Sequence, residues 1–143
     1  MRERIGGCLC GAVRYAARGD PDRIGMCHCL DCRKACGAFY APYAVWPIGA
    51  VTFTGKLKVY ANRGFCPECG SRVAWLTDDE AEIYLGSLDD APGDLVPTYE
   101  LWTGRRETWM KPLPWADQYS GDREDGAGEP QQPIAKGEGT PSP

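Results

Sequence analysis

Short runs in which apolar and polar residues alternate, or a few apolar residues stand together, recur along the chain: "AVRYAA", "AFYAPYAVW", "VTFTG", "LKVYA", "RVAWL", "EIYLGSL" and "PTYELWT". Gly, Pro, Asn and Asp separate them, and the pattern predicts many short strands in antiparallel connection. Helical periodicity is scarce. Its best instance is a turn or two over "LDCRKACG", with Asp31 placed to cap the start and Gly37 the end. The expected fold class is all-β with little helix.

The pattern stops at Ser120. Beyond it "SGDREDGAGEPQQPIAKGEGTPSP" is dominated by Gly, Pro, Glu, Asp and Gln, with one isoleucine as its only large aliphatic residue. Such a stretch buries too little apolar surface to offset the entropy of ordering it. The expected organisation is one domain over residues 1–119 and a disordered acidic tail over 120–143; 143 residues suit a single core.

Charge narrows the function. The formal charge is −4, and the segment from Gly121 holds five acids against two bases, so the body is close to neutral. A near-neutral body lacks the basic stripe of a nucleic-acid binder, and no nucleic-acid partner is expected. No apolar run reaches the roughly 18 residues of a membrane span, and "MRERIGG" leads into no apolar signal region, so a cytoplasmic protein is expected.

Eight cysteines, at 8, 10, 27, 29, 32, 36, 66 and 69, carry most of the chemical information. A disulfide between residues two apart closes a strained ring, whereas thiolates at that spacing can turn toward one ion, so metal is the better reading. "GCLCGAVRY" reads as a turn feeding a strand; in extended chain Cys8 and Cys10 aim together and Leu9 away. "FCPECGS" is a Cys-x-x-Cys-Gly knuckle whose backbone N–H groups point back at the sulfurs, with Gly70 suited to the left-handed turn this requires. Two cysteines from each piece make a tetrahedral Cys8, Cys10, Cys66, Cys69 set with bonds of about 2.3 Å to zinc.

In "CHCLDC", Cys27 and Cys29 share a face with His28 opposite, and Cys32 follows at the start of the short helix. The helix start and the neighbouring Arg33 and Lys34 favour thiolate. Three thiolates on a dication suit an incoming thiol or small carbonyl better than a hydroxide for amide hydrolysis. Cys36, four residues on from Cys32, is the rival fourth ligand, and a small buried core residue is the plainer reading. His28, the only histidine, reads first as a hydrogen-bonded structural residue and second as an acid–base group. Arg33 and Lys34 form either a solvated face or a seat for a substrate carboxylate.

"CLCGAVRY", "CHCLDCRKACGAFY" and "FCPECGS" together resemble, in order, residue type and spacing, the three motif blocks of the glutathione-dependent formaldehyde-activating enzyme family, which also includes centromere protein V. The resemblance spans residues 8–71 and implies a zinc-stapled β-tent-like fold. It implies two zinc ions per chain, a structural one on Cys8, Cys10, Cys66 and Cys69 and an open one on Cys27, Cys29 and Cys32. It also implies a carbon–sulfur lyase acting on a small thiol of the glutathione type and an aldehyde such as formaldehyde, forming or cleaving an S-hydroxymethyl adduct. Glu100 stands near where many members carry histidine, and Cys36 falls outside the seven-cysteine pattern.

Trp102, Trp109, Trp115, Tyr99 and Tyr119 crowd the C-terminal part of the domain and read first as a lid or core. Facing the open zinc, Trp109 with Arg105 or Arg106 would anchor a thiol substrate and clamp its carboxylate. The reading from a different class is a non-catalytic zinc-stapled interaction module.

Overall fold

The computed structural model describes residues 2–123, which divide into two compact units, residues 2–24 with 43–96 and residues 25–42 with 97–123. Among the described residues the fold is all-β with one short α-helix. The expected tail from 124 onward lies outside the described residues.

In the first unit, β1 (Glu3–Gly7), β2 (Arg14–Arg18) and β5 (Val51–Thr54) form a three-stranded antiparallel sheet in the order β1-β2-β5. A second antiparallel ladder runs β4-β9-β8-β7-β6, from β4 (Ala41–Pro47) through β9 (Glu80–Tyr84), β8 (Arg72–Leu76) and β7 (Arg63–Phe65) to β6 (Lys58–Tyr60). Strand alternation decides what is buried. In β2 Tyr15 and Ala17 turn inward, and in β9 Ala81 and Ile83 do, joining Val13, Ala44, Trp46, Val51, Val73 and Ala74. Cys8 and Cys66 belong to this same core. Trp46 is fully buried and its Nε1–H donates to the Gly19 carbonyl at 3.0 Å, so its polar edge is not stranded.

The second unit holds the last three residues of β3 (Arg23–Cys27), α1 (Leu30–Cys36), β10 (Tyr99–Leu101) and β11 (Asp117–Gln118). The antiparallel connection expected from sequence holds for the pairs of the first unit, whereas β10 runs parallel with both β3 and β11. Its register sets Tyr99 against Gly25, Glu100 against Met26 and Leu101 against Cys27. Gly25 is what permits this, since a Cβ there would stand 2.4 Å from the Tyr99 ring. Immediately after β10, Trp102 takes a left-handed conformation, φ 55°. Its backbone N–H donates to the Gly121 carbonyl and its indole N–H to Asp122, both at positions assigned from sequence to the tail.

Helix α1 differs from expectation at its start. Cys29, not Asp31, is the N-cap, its Sγ accepting from the Cys32 N–H at 3.3 Å; Asp31 lies in the first turn, and Gly37 closes the helix at φ 61° as expected. Among the described residues no helix is long and apolar enough to cross a membrane.

Candidate metal centres

Sulfurs from two distant pieces of the first unit meet: Sγ of Cys8, Cys10, Cys66 and Cys69 all lie within 4.8 Å of one another. The first pair converges through a tight turn rather than the extended chain assumed from sequence. Gly11 N–H closes on the Cys8 carbonyl, Cys8 N–H on the Val13 carbonyl, and Val13 N–H returns to Cys8 Sγ at 3.2 Å, leaving Leu9 exposed. The second pair forms the knuckle foreseen. Gly70, at φ 79°, donates to the Cys66 carbonyl, and Glu68 N–H points at Cys66 Sγ at 3.4 Å. Ser71 joins the two pieces, its Oγ accepting from Leu9 N–H at 3.0 Å and lying 3.1 Å from Cys69 Sγ.

The set fits zinc. Sulfurs placed tetrahedrally at about 2.3 Å from an ion stand about 3.8 Å apart, and the Cys8–Cys10 and Cys10–Cys66 separations are 3.6 and 3.8 Å. Four thiolates this close do not ionise together unaided. Hydrogen bonds from Ser71 pull Cys69 down to about 5, while for Cys10 the favourable Ala12 N–H is outweighed by the neighbouring sulfurs, Cys8 first, which push it up to about 12. A dication removes that conflict.

A second set comes from one segment of the second unit. Cys27 ends β3, Cys29 caps α1 and Cys32 lies in its first turn, and their three sulfurs are within 4.8 Å of one another. Cys27 and Cys29 are buried. The Cys29 and Cys32 sulfurs, with burial, push the Cys27 thiol well up, so this trio too calls for a cation before all three can be thiolates. Cys36 stands outside the trio and is half-buried, not the core residue anticipated, because none of the seven helix residues is buried.

His28, between two members of the trio, is fully buried, and its Nε2–H donates to Glu100 Oε1 at 2.7 Å; its ring stacks obliquely on Tyr40. Burial lowers its pKa, outweighing the carboxylate. Burial works the other way on Glu100, yet hydrogen bonds from Gln118, His28 and Leu113, with Arg106 nearby, hold it below the usual carboxylate range. The pair is a neutral imidazole beside a carboxylate.

The structure brings Arg33 and Trp109 to one patch and leaves Lys34 exposed apart from these contacts. The Arg33 guanidinium lies 5.6 Å from the Phe39 ring centre, and Trp109 meets Phe39 edge to face at 5.1 Å. The charge of Arg33 is already partnered, by Glu107 at 2.8 Å and the Arg105 carbonyl at 3.0 Å. Arg106 is turned to Gln118 and, at 3.6 Å, to Glu100. The lid or core expected of the aromatics holds for Tyr99 and Trp102, which are buried, but Trp109 and Trp115 are more than half exposed. Sequence reasoning missed Phe39, Glu107 and the role of Glu100 as a hub. An acid in an apolar strand pattern, "YEL", was the one available signal.

Fold and site together define a small β protein with two cysteine sets able to hold metal ions. The chain belongs to the glutathione-dependent formaldehyde-activating enzyme family, whose profile matches residues 3–105. Among solved structures it is similar to a Rhodobacter sphaeroides protein, with 20% identity over 65% of this chain and 97% of that one and a TM-score of 0.49. No curated protein matches the chain.

Proposed function

We propose that the chain is a cytoplasmic zinc enzyme of the carbon–sulfur lyase class, joining a small thiol of the glutathione type to an aldehyde such as formaldehyde, or cleaving the adduct. One observation carries this reading. The segment Cys27–Cys32 brings three sulfurs together and Cys36 is not among them, the ligand count of a catalytic rather than a structural zinc site. Cys8, Cys10, Cys66 and Cys69, by contrast, would complete a structural zinc.

Zinc held by Cys27, Cys29 and Cys32 would supply Lewis acidity that favours the thiolate form of an arriving thiol. The remaining work falls to the protein. Phe39 and Trp109 offer an apolar wall against which a short side chain can settle, and Arg33 beside them, whose Nη1 is bonded to Glu107 and the Arg105 carbonyl, would orient a carboxylate through its other N–H donors. In the forward direction the substrate sulfur attacks the aldehyde carbon, the C–S bond forms, the carbonyl π pair moves to oxygen, and the thiol proton ends there as the hydroxyl of an S-hydroxymethyl group. Cleavage reverses each step.

The test is adduct formation above the uncatalysed rate by zinc-loaded protein, wild type against Cys32→Ser. Activity above background that the substitution abolishes while the melting profile persists is the expected result. Equal background rates in both loaded, folded proteins would sink the reading and leave a non-catalytic interaction module.

A further inference from the structure

Among the described residues only three charged or polar side chains are buried, Arg4, His28 and Glu100, and the last two are bonded to each other. Replacing a buried hydrogen-bonded pair on both sides with apolar residues of equal volume is often nearly neutral or stabilising, so stability alone does not account for it. Its connections suggest what does. His28 is the single residue between Cys27 and Cys29; its backbone N–H is tied to the Leu101 carbonyl at 3.0 Å and its ring to Glu100 at 2.7 Å, so both ends of the residue are fixed to β10. The second oxygen of Glu100 accepts from the Leu113 N–H and from Gln118 Nε2, each at 2.8 Å. One carboxylate therefore holds the spacer between two sulfurs and, at the same time, the 113–118 segment.

We propose that Glu100 is a positioning residue: through His28 it sets the spacing of Cys27 and Cys29 for metal, and it couples that spacing to the docking of residues 113–118. The inference rests on the reading of Cys27, Cys29 and Cys32 as a metal site. It assigns Glu100 no contact with substrate. Outer partners that fix the orientation of metal ligands typically contribute about 10- to 100-fold in metal affinity.

The experiment is an anaerobic cobalt(II) titration of the tri-cysteine set in protein whose four-cysteine set is filled with zinc, reading the dissociation constant and the visible ligand-field band. Glu100→Ala and His28→Phe, the latter keeping an aromatic ring against Tyr40 while losing the bond to Glu100, are expected to bind cobalt about tenfold more weakly, with a displaced band. Glu100→Gln is expected to recover to within about threefold, because its amide oxygen still accepts from Leu113 and Gln118 while its NH₂ can face the other tautomer of His28. Should Glu100→Ala lose the four-cysteine zinc as well, His28→Phe decides. Wild-type affinity and band in a folded Glu100→Ala or His28→Phe would overturn the proposal, whatever the fall in melting temperature. Tight cobalt binding by a wild type that forms no adduct would remove the proposed reaction and leave the positioning role. A wild type that binds no cobalt at the three cysteines would remove both.

Discussion

The two cysteine sets differ in how they are built more than in what they are built from. Cys8 and Cys10 sit at the end of one hairpin strand and Cys66 and Cys69 some sixty residues on, so an ion shared by them cross-links distant chain, and two of the four sulfurs lie in the hydrophobic core. Cys27, Cys29 and Cys32 lie within six consecutive residues, and an ion held there closes almost no loop. Loop closure is where a cross-link gains stability. On the proposed reading the first arrangement would hold the fold, and the second would present an ion whose loss has little consequence for the global fold.

The comparison breaks most visibly at Cys66. Cys66→Ser is expected to remove a core ligand and with it an amount of stability on the order of the whole margin of a domain this size; metal content and thermal melting check it, and a folded protein that keeps its full metal content would contradict the division. Next in size, a chelator titration should strip the tri-cysteine ion first with the far-ultraviolet dichroism unchanged, and unfold the chain only when the second ion leaves. A single step releasing both would show one linked unit.

Arg33→Ala tests whether the patch of Arg33, Phe39 and Trp109 binds substrate. If the guanidinium orients a carboxylate, the apparent KM for the thiol should rise about threefold to tenfold with kcat little changed. The half-exposed pair with Glu107 alone would cost about 1 kcal/mol or less of stability and leave KM unmoved.

The smallest effect separates pH dependence of the fold from that of the thiolates. Burial, opposed by Arg23 and reinforced by Glu80, raises Glu82 from its usual 4.5 to about 7. The fold thus favours the protonated acid, so the penalty for ionising it is absent below the ordinary pKa, grows as pH rises toward the folded one, and is constant above. Glu82→Gln should therefore gain about 1 to 2 kcal/mol more at pH 8 than near pH 5.5, where part of the penalty is already present, read from melting at the two pH values with both metal sites loaded.

Much of this was legible from spacing. Pairs of cysteines two or three apart, flanked by glycines that reach positive φ at Gly11 and Gly70, encode their turns locally, and the short alternating runs encode strands. Less local features were not. The three residues of β10 say nothing of direction, nor of the register that Gly25 permits by leaving room for Tyr99. Asp31 is the commoner capping type, but Cys29 holds the extended conformation a cap needs, and its sulfur takes the amide. Arg33 looked available because its partner Glu107 is 74 positions away. Glu100 looked like an oddity because its value lies in three hydrogen bonds, from His28 and from the 113–118 segment.

Cys29 has one further consequence. Its sulfur both belongs to the trio and accepts the Cys32 amide that begins α1, and a helix of seven residues has little persistence of its own. An electrophile or peroxide that modifies this single atom would thus remove a proposed ligand and a cap in one event. Fraying of the first turn, followed as deuterium uptake at the Cys32 amide, would then report modification of the Cys29 sulfur, readable without any turnover.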